Sequence, residues 1–243
     1  MSAEARVAVF SDVHGNLQGL EAVLAEIERR GPFERVVAAG DHCLNGPDPS
    51  ASLDRVLESA SDILIGNTDR DIVNSGASDP DLGRKKTDSI AWTRDKLGSN
   101  RIETLANLAF DIEISAPDNS KLRVVHANPH DLDRHIFPDM DEADLAELVG
   151  HVDASILAFG HLHIPFTRQF GDLLLVDIAA AGLPRDGDRR ATWGEFSWSA
   201  SAGWSAVIHR VEYPYRETVQ RIFDSGMPNP EKRASDLLRA TYD

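Results

Sequence analysis

The chain alternates short apolar runs with longer stretches in which apolar residues recur every three or four positions, the pattern of buried strands and amphipathic helices. Arg6–Phe10 reads as a buried strand, and Asn16–Arg30 as a helix with Leu17, Leu20, Val23, Leu24 and Ile27 on one face, closed by Gly31-Pro32. Strands follow at Arg35–Ala39 and Asp62–Ile65, with a helix over Pro49–Ser59 between them. After a polar, Gly- and Asp-rich stretch at 74–83 the spacing predicts helices over Asp88–Leu97 and Arg101–Leu108. Strands at Asp111–Ser115 and Leu122–Val125, a helix over Met140–Val149 and a strand at Ser155–Phe159 come next. Beyond Pro165 the pattern turns strand-rich, with Phe166–Phe170, Leu173–Ile178, Arg190–Trp198 and Trp204–Glu212, before two short helices at Arg216–Phe223 and Pro230–Leu238. Strand–helix alternation followed by several strands predicts an α/β protein with a parallel and an antiparallel portion. No Gly-, Ser- or Pro-rich linker and no repeat divides the chain, so residues 1–243 are expected to form one domain.

The chemistry lies where the apolar runs stop. Val7–Phe10 leads to Ser11-Asp12-Val13-His14, Val36–Ala39 to Gly40-Asp41, and Ile63–Ile65 to Gly66-Asn67-Thr68-Asp69. Leu122–Val125 leads to His126, and Ile156–Phe159 to Gly160-His161-Leu162-His163. In open α/β sheets the C-terminal edge of the strands is where ligand sites form. Oxygen and imidazole ligands without thiolate suit Mn, Fe, Zn or similar divalent ions. Seven such groups exceed one tetrahedral site but fill two that share a carboxylate, the arrangement that clamps both oxygens of a phosphoryl displacement.

Charge narrows the partners. The net charge is −15, and the whole acidic excess falls in residues 1–183, since residues 184–243 hold nine acidic and nine basic side chains. Such a surface repels nucleic-acid phosphates and anionic lipid, so no general nucleic-acid binding and no membrane association are expected. The longest apolar run, around Leu173–Leu183, is interrupted by Asp177 and is too short to span a bilayer. A single cysteine, Cys43, and an N-terminus without a basic, apolar leader pattern make the expected location cytoplasmic.

Asp12-Val13-His14-Gly15-Asn16, Gly40-Asp41, Gly66-Asn67-Thr68-Asp69, His126 and Gly160-His161-Leu162-His163 together resemble the calcineurin-like metallophosphoesterases. Gly-Pro-Asp-Pro at 46–49 and Gly-Leu-Pro-Arg-Asp-Gly-Asp at 182–188 resemble one subgroup of that family. The resemblance implies a four-layer αββα sandwich, with two mixed sheets face to face and helices outside. It also implies two divalent ions (Mn, Fe or Zn), one held by Asp12, His14 and His163 and the other by Asn67, His126 and His161, with Asp41 bridging. A hydroxide between the ions would then attack phosphorus in line, hydrolysing a small phosphorylated substrate. Many members carry Gly-Asn-His where this chain has Gly-Asn-Thr68, so Asp69 is left without the imidazole it would orient. A missing proton donor favours diesters with good leaving groups.

His130 and His42 are candidates for the absent acid, and Arg70 and Arg185 for phosphate contacts or plain ion pairs. His135, His151 and His209 have no motif around them and read as surface or structural residues, Cys43 as packing, and Trp193, Trp198 and Trp204 as core or sheet-edge residues. Two other readings compete with the diesterase: a phosphomonoesterase acting on a nucleotide or phosphoprotein, and a metal-bearing scaffold that has lost turnover. A metallo-β-lactamase-type hydrolase is excluded for want of a His-X-His-X-Asp-His cluster. Oligomeric state has no signature in the sequence.

Overall fold

The computed structural model describes residues 4–74 and 84–242. Most of the polar stretch read at 74–83 therefore lies outside the described residues. Ten strands form two five-stranded sheets. The first runs β10-β9-β1-β2-β3, with β1 at Glu4–Phe10, β2 at Arg35–Ala38, β3 at Asp62–Ile63, β9 at Ala191–Ser199 and β10 at Gly203–Val211. The second runs β4-β5-β6-β8-β7, with β4 at Asp111–Ser115, β5 at Lys121–Val125, β6 at Ile156–Phe159, β7 at Phe166–Phe170 and β8 at Leu173–Asp177. Each sheet is mixed. β1, β2 and β3 are parallel neighbours, as are β5, β6 and β8, while β9, β10, β4 and β7 add antiparallel flanks. The expected antiparallel portion is thus divided between two sheets.

Period-two alternation decides which layer each residue joins. Val7 and Val9 on β1 face the second sheet, in a core with Val37, Val124, Ile156, Ala158 and Val176. Ala8 and Phe10 point the other way, against Leu20, Val23 and Ile27 of α1 (Leu17–Arg30) and Ile222 of α6 (Tyr215–Asp224). On the far side, Leu157, Phe159 and Leu175 pack under Leu145, Leu148 and Val149 of α5 (Glu142–Val149). Helix, sheet, sheet, helix is the four-layer α/β sandwich expected. α7 (Pro230–Arg239) lies beside α6 and contributes Ala234 and Leu237 to the first helical layer.

Four local differences have physical causes. α3 (Asn67–Asn74) stands where the pattern predicts no helix, because Asn-Thr-Asp after a glycine reads as a turn; its Ile72 packs with Leu53, Ile90 and Leu105. β3 stops at Ile63, two residues early, since Leu64 turns to bridge Ala109 beside the second sheet. The two helices expected at 88–108 form one stretch, α4 (Arg84–Ala106), broken at Gly98, where φ is +70° and ψ 172°. The helix expected from Met140 starts at Glu142 instead, because the Asp141 side chain caps it by accepting from the amides of Ala143 and Asp144. No helix among the described residues is long and apolar enough to cross a membrane.

Candidate metal centre

Parallel pairing brings the C-terminal ends of β1, β2, β5 and β6, and the start of α3, to one edge where the two sheets meet. The backbone there is tightly cross-tied: the Asp12 amide donates to Gly40, that of His14 to Asp41, that of Gly160 to His126 and that of Gly182 to Asp12. Asp12, His14, Asp41, His161 and His163 all have φ between +49° and +69°. Non-glycine residues rarely adopt this left-handed conformation, and five together mark a place where side-chain direction outweighs backbone comfort. Two glycines make the crowding possible. Gly40 has φ +96°, and a Cβ there would come within 2.7 Å of the Gly66 amide and His126 Nδ1; a Cβ on Gly66 would overlap Asp41 Oδ1.

The backbone also fixes the imidazole tautomers. His14 Nδ1 lies 2.9 Å from the Leu44 carbonyl, His163 Nδ1 2.5 Å from that of Leu183, and His126 Nδ1 2.9 Å from that of Ala39. A carbonyl only accepts, so each Nδ1 carries the proton and each Nε2 a lone pair. Those lone pairs face other acceptors. His14 Nε2 and His163 Nε2 are 3.2 Å apart, and Asp12 Oδ1 is 3.1 Å from the latter and 3.7 Å from the former. Asp12 Oδ1 is buried without a hydrogen-bond partner. In a second grouping, His126 Nε2 is 3.1 Å from Asn67 Oδ1 and 3.5 Å from Asp41 Oδ1. Acceptors at such distances repel unless a cation lies between them, and a tetrahedron with metal bonds of about 2.0–2.1 Å has edges of about 3.3–3.4 Å. The donor set fits a divalent ion.

Electrostatics agree. Asp12, Asp41 and Asp69 are buried, and among the described residues none pairs with Lys or Arg. Burial pushes the Asp41 carboxyl up to about 6; His126 opposes the rise, and Asp69 and Asp12 add to it. Burial also opposes ionisation of Asp12, but the imidazoles of His163, His126 and His14 outweigh it and hold that carboxyl below its usual range. Burial and the neighbouring His163 bring His14 down to about 3, which keeps it neutral and ready to ligate. For His126 burial is outweighed by Asp41 and Asp12, and protonation becomes easier, as expected beside carboxylates that lack a cation.

The remaining candidates divide. His161 donates its amide to Asp12 Oδ2 and packs 5.1 Å from His126 ring to ring, but its Nε2 faces the Asp133 carbonyl at 2.9 Å, which leaves Nδ1 as its available nitrogen. It joins neither tight grouping. Asp69 does not hold a catalytic ring: its carboxylate accepts from the amides of Asp41 (2.7 Å), His42 (3.0 Å) and Gly66 (3.0 Å). His42 is fully buried with Nε2 on the Leu64 carbonyl, so it is fixed beneath the site. His130, expected as a catalytic candidate, is exposed, with its backbone amide held by Asn128 and no described contact joining its ring to the cluster. The residue that does approach is His135, read from sequence as peripheral; its ring lies 4.1 Å from that of His161. Only the folding back of residues 128–137 brings it there, and the sequence holds no local signal for that. Arg70 grips Asp133 with bonds of 2.6 and 2.9 Å, and Arg185 turns to the Thr241 carbonyl and the Tyr242 ring. Cys43 packs with Leu53 and Leu97, while His209 pairs with Glu195 and lies over Trp193. Trp193 and Trp198 are buried.

The model of the calcineurin-like phosphoesterase superfamily domain matches residues 6–196. The chain belongs to that superfamily. It is therefore placed among metal-dependent phosphoric ester hydrolases. This phosphoesterase is 26% identical over 239 residues to an uncharacterized protein of Methanocaldococcus jannaschii, covering 91% of this chain and 93% of that one. Its fold is that of a metallophosphoesterase from Sphaerobacter thermophilus (TM-score 0.79, 23% identity, 98% and 99% of the two chains covered). A hypothetical protein from Pyrococcus horikoshii OT3 shares it too (TM-score 0.82, 19% identity, 98% and 100% covered).

Proposed function

We propose that this phosphoesterase hydrolyses a small phosphodiester with two divalent ions, one at Asp12, His14 and His163 and the other at Asn67, His126 and His161, with Asp41 between them. The observation that supports it is the position of Asp41, whose Oδ2 is 3.5 Å from His14 Nε2 and whose Oδ1 is 3.5 Å from His126 Nε2. One buried carboxylate thus faces both groupings. Ions bound there supply Lewis acidity, activating water and offsetting charge on the phosphoryl oxygens. The chain's own residues hold the ligands in place: the Thr68 amide donates to Asp41 Oδ1 at 2.9 Å, and the three carbonyl-bound Nδ1 protons keep each Nε2 bare. His161 would ligate through Nδ1, because Nε2 is at the Asp133 carbonyl.

The preference for diesters rests on Thr68. It brings a hydroxyl where many relatives bring an imidazole, while His42 is held on the Leu64 carbonyl and no described contact joins the His130 ring to the cluster. A leaving alkoxide then goes without a general acid worth about 10²–10⁴-fold. The acidic surface favours a small substrate over a nucleic acid, and the single cysteine fits a cytoplasmic setting.

Elemental analysis of metal-saturated protein should give two equivalents; one or fewer overturns the second ion. A nitrophenyl phosphodiester should be cleaved with kcat/KM about 100-fold above an alkyl monophosphate. Comparable values would indicate a monoesterase, and no turnover with both ions bound would indicate a binding scaffold.

A further inference from the structure

The two ligand candidates that follow β6, His161 and His163, flank Leu162 in a strained loop. The Leu162 amide donates to the Gly160 carbonyl at 2.8 Å and closes a γ-turn around His161, where φ is +69°; His163 follows at φ +61°. A γ-turn with positive φ at its centre is the rare form, and such backbone persists only where its surroundings hold it. Part of the hold comes from within the metal centre, where the His161 amide donates to Asp12 Oδ2 and His163 Nδ1 to the Leu183 carbonyl. The rest comes from residues 240–242.

The Tyr242 hydroxyl donates to the Leu162 carbonyl at 2.5 Å, across 80 positions of sequence. Beyond α7 the chain turns at Ala240, fully buried with φ +51°, and Thr241 bridges Asp186 in antiparallel fashion. The Gly187 amide donates to the Ala240 carbonyl at 2.7 Å. The Arg185 guanidinium donates to the Thr241 carbonyl at 2.9 Å and lies 5.5 Å from the centre of the Tyr242 ring. The Arg185 amide meanwhile donates to the His163 carbonyl at 2.9 Å. The run Gly-Leu-Pro-Arg-Asp-Gly-Asp at 182–188 is thus bonded to the tail and to the ligand loop alike. A half-exposed tyrosine is ordinarily a surface residue whose hydroxyl is met by water. Tyr242 is half-exposed, yet its hydroxyl is spent on the one carbonyl that lies between two metal-ligand candidates.

We propose that Tyr242 is a positioning residue, which through Leu162 fixes the loop carrying His161 and His163 and so sets how tightly the centre holds its metal. This rests on the metal-centre reading above. It adds to that reading a segment outside every motif that supplies a ligand.

The test compares the parent with Tyr242→Phe, which loses one hydroxyl and keeps the ring beside Arg185. Metal-free protein is titrated with Zn2+ against a chromogenic chelator. Every equivalent that the parent binds should weaken about tenfold, the low end of what losing a group that orients a ligand costs. In metal-free protein the Leu162 and Arg185 amides should exchange hydrogen faster, with little change in melting temperature. Tyr242→Leu should bind metal no better than Tyr242→Phe; a return to parent affinity would contradict a role for the hydroxyl. Equal affinities in the parent and Tyr242→Phe overturn the proposal, even if the melting temperature falls, because that is what a purely structural contact would give. Weaker binding with both amides exchanging as before also overturns it, since the effect would not pass through the loop. A parent that binds no ion fails the metal-centre reading and this proposal with it, whereas a parent that binds and a variant that binds equally fail this proposal alone. Turnover of bis(nitrophenyl) phosphate by the metal-saturated parent judges the phosphodiesterase reading separately, because the affinities are read without substrate.

Discussion

Asp69 is fully buried, and its two oxygens gather the amides of Asp41, His42 and Gly66, tying the loop after β2 to the turn before α3. Each amide left unpaired costs about 1–3 kcal/mol. Asp69→Asn keeps one oxygen and turns an NH2 group toward amide protons, so a loss of about 3 kcal/mol is expected, which at about 2–4 °C per kcal/mol lowers Tm by about 6–12 °C. Metal affinity should fall with it, because Asp41 moves. A residue that served only to orient an imidazole would leave the melting curve unchanged. Thr68→His tests the neighbouring position. Thr68 is among the residues lining a pocket of about 350 Å³ that has room for a ring, and a carboxylate with about four acceptor positions retains one beyond the three amides. Turnover of an alkyl ester should rise about tenfold, with little change for a nitrophenyl ester and with metal content constant. Equal responses, or none, would show that Thr68 is not the deficit.

Among the elements, the segment after β5 carries the least sequence signal and has much influence on the site. Asn128 and Asp131 tie it internally, with Asp131 Oδ1 accepting from the amides of Asp133 and Arg134. Arg70 on α3 grips Asp133 from outside, and the Asp133 carbonyl meets His161 Nε2. The Arg70–Asp133 pair is partly solvated and adds at most about 1 kcal/mol to stability. Its effect is on position. Arg70→Gln should leave Tm nearly unchanged, increase hydrogen exchange over residues 131–137, and weaken one of two metal equivalents about 10–100-fold, the usual effect of losing a group that orients a ligand. If a metal titration shows both equivalents weakened alike, the segment does not act through His161. α3 itself carries little helical signal because its first turn is Asn-Thr-Asp, polar enough for a loop, and its one buried apolar anchor is Ile72.

At the scale of the molecule, three buried carboxylates have no Lys or Arg partner among the described residues, and burial, aided by Asp69 and Asp12, already pushes Asp41 up to about 6. Ions that bind only the folded chain stabilise it by about 2.7 kcal/mol per site at a hundredfold excess over Kd. Chelation should therefore lower Tm by about 10 °C or more, reversibly on adding metal. An unchanged melting curve would mean that the cluster holds no ion.

Local sequence by itself determined the strands, most helices and the ends at which Asp12, His14, Asp41, Asn67, His126, His161 and His163 emerge, because alternation and helical spacing are properties of neighbours along the chain. It also determined the absence of an imidazole at Thr68. Only the tertiary structure decided the rest. It gave Asp69 to backbone amides, buried His42, left His130 in solvent and brought His135 against His161. It also split the antiparallel strands between two sheets and set Lys232 and Arg233 beside Thr68. Those outcomes depend on pairings across tens to hundreds of residues, where which lone pair meets which donor is settled by packing, and no local pattern encodes them.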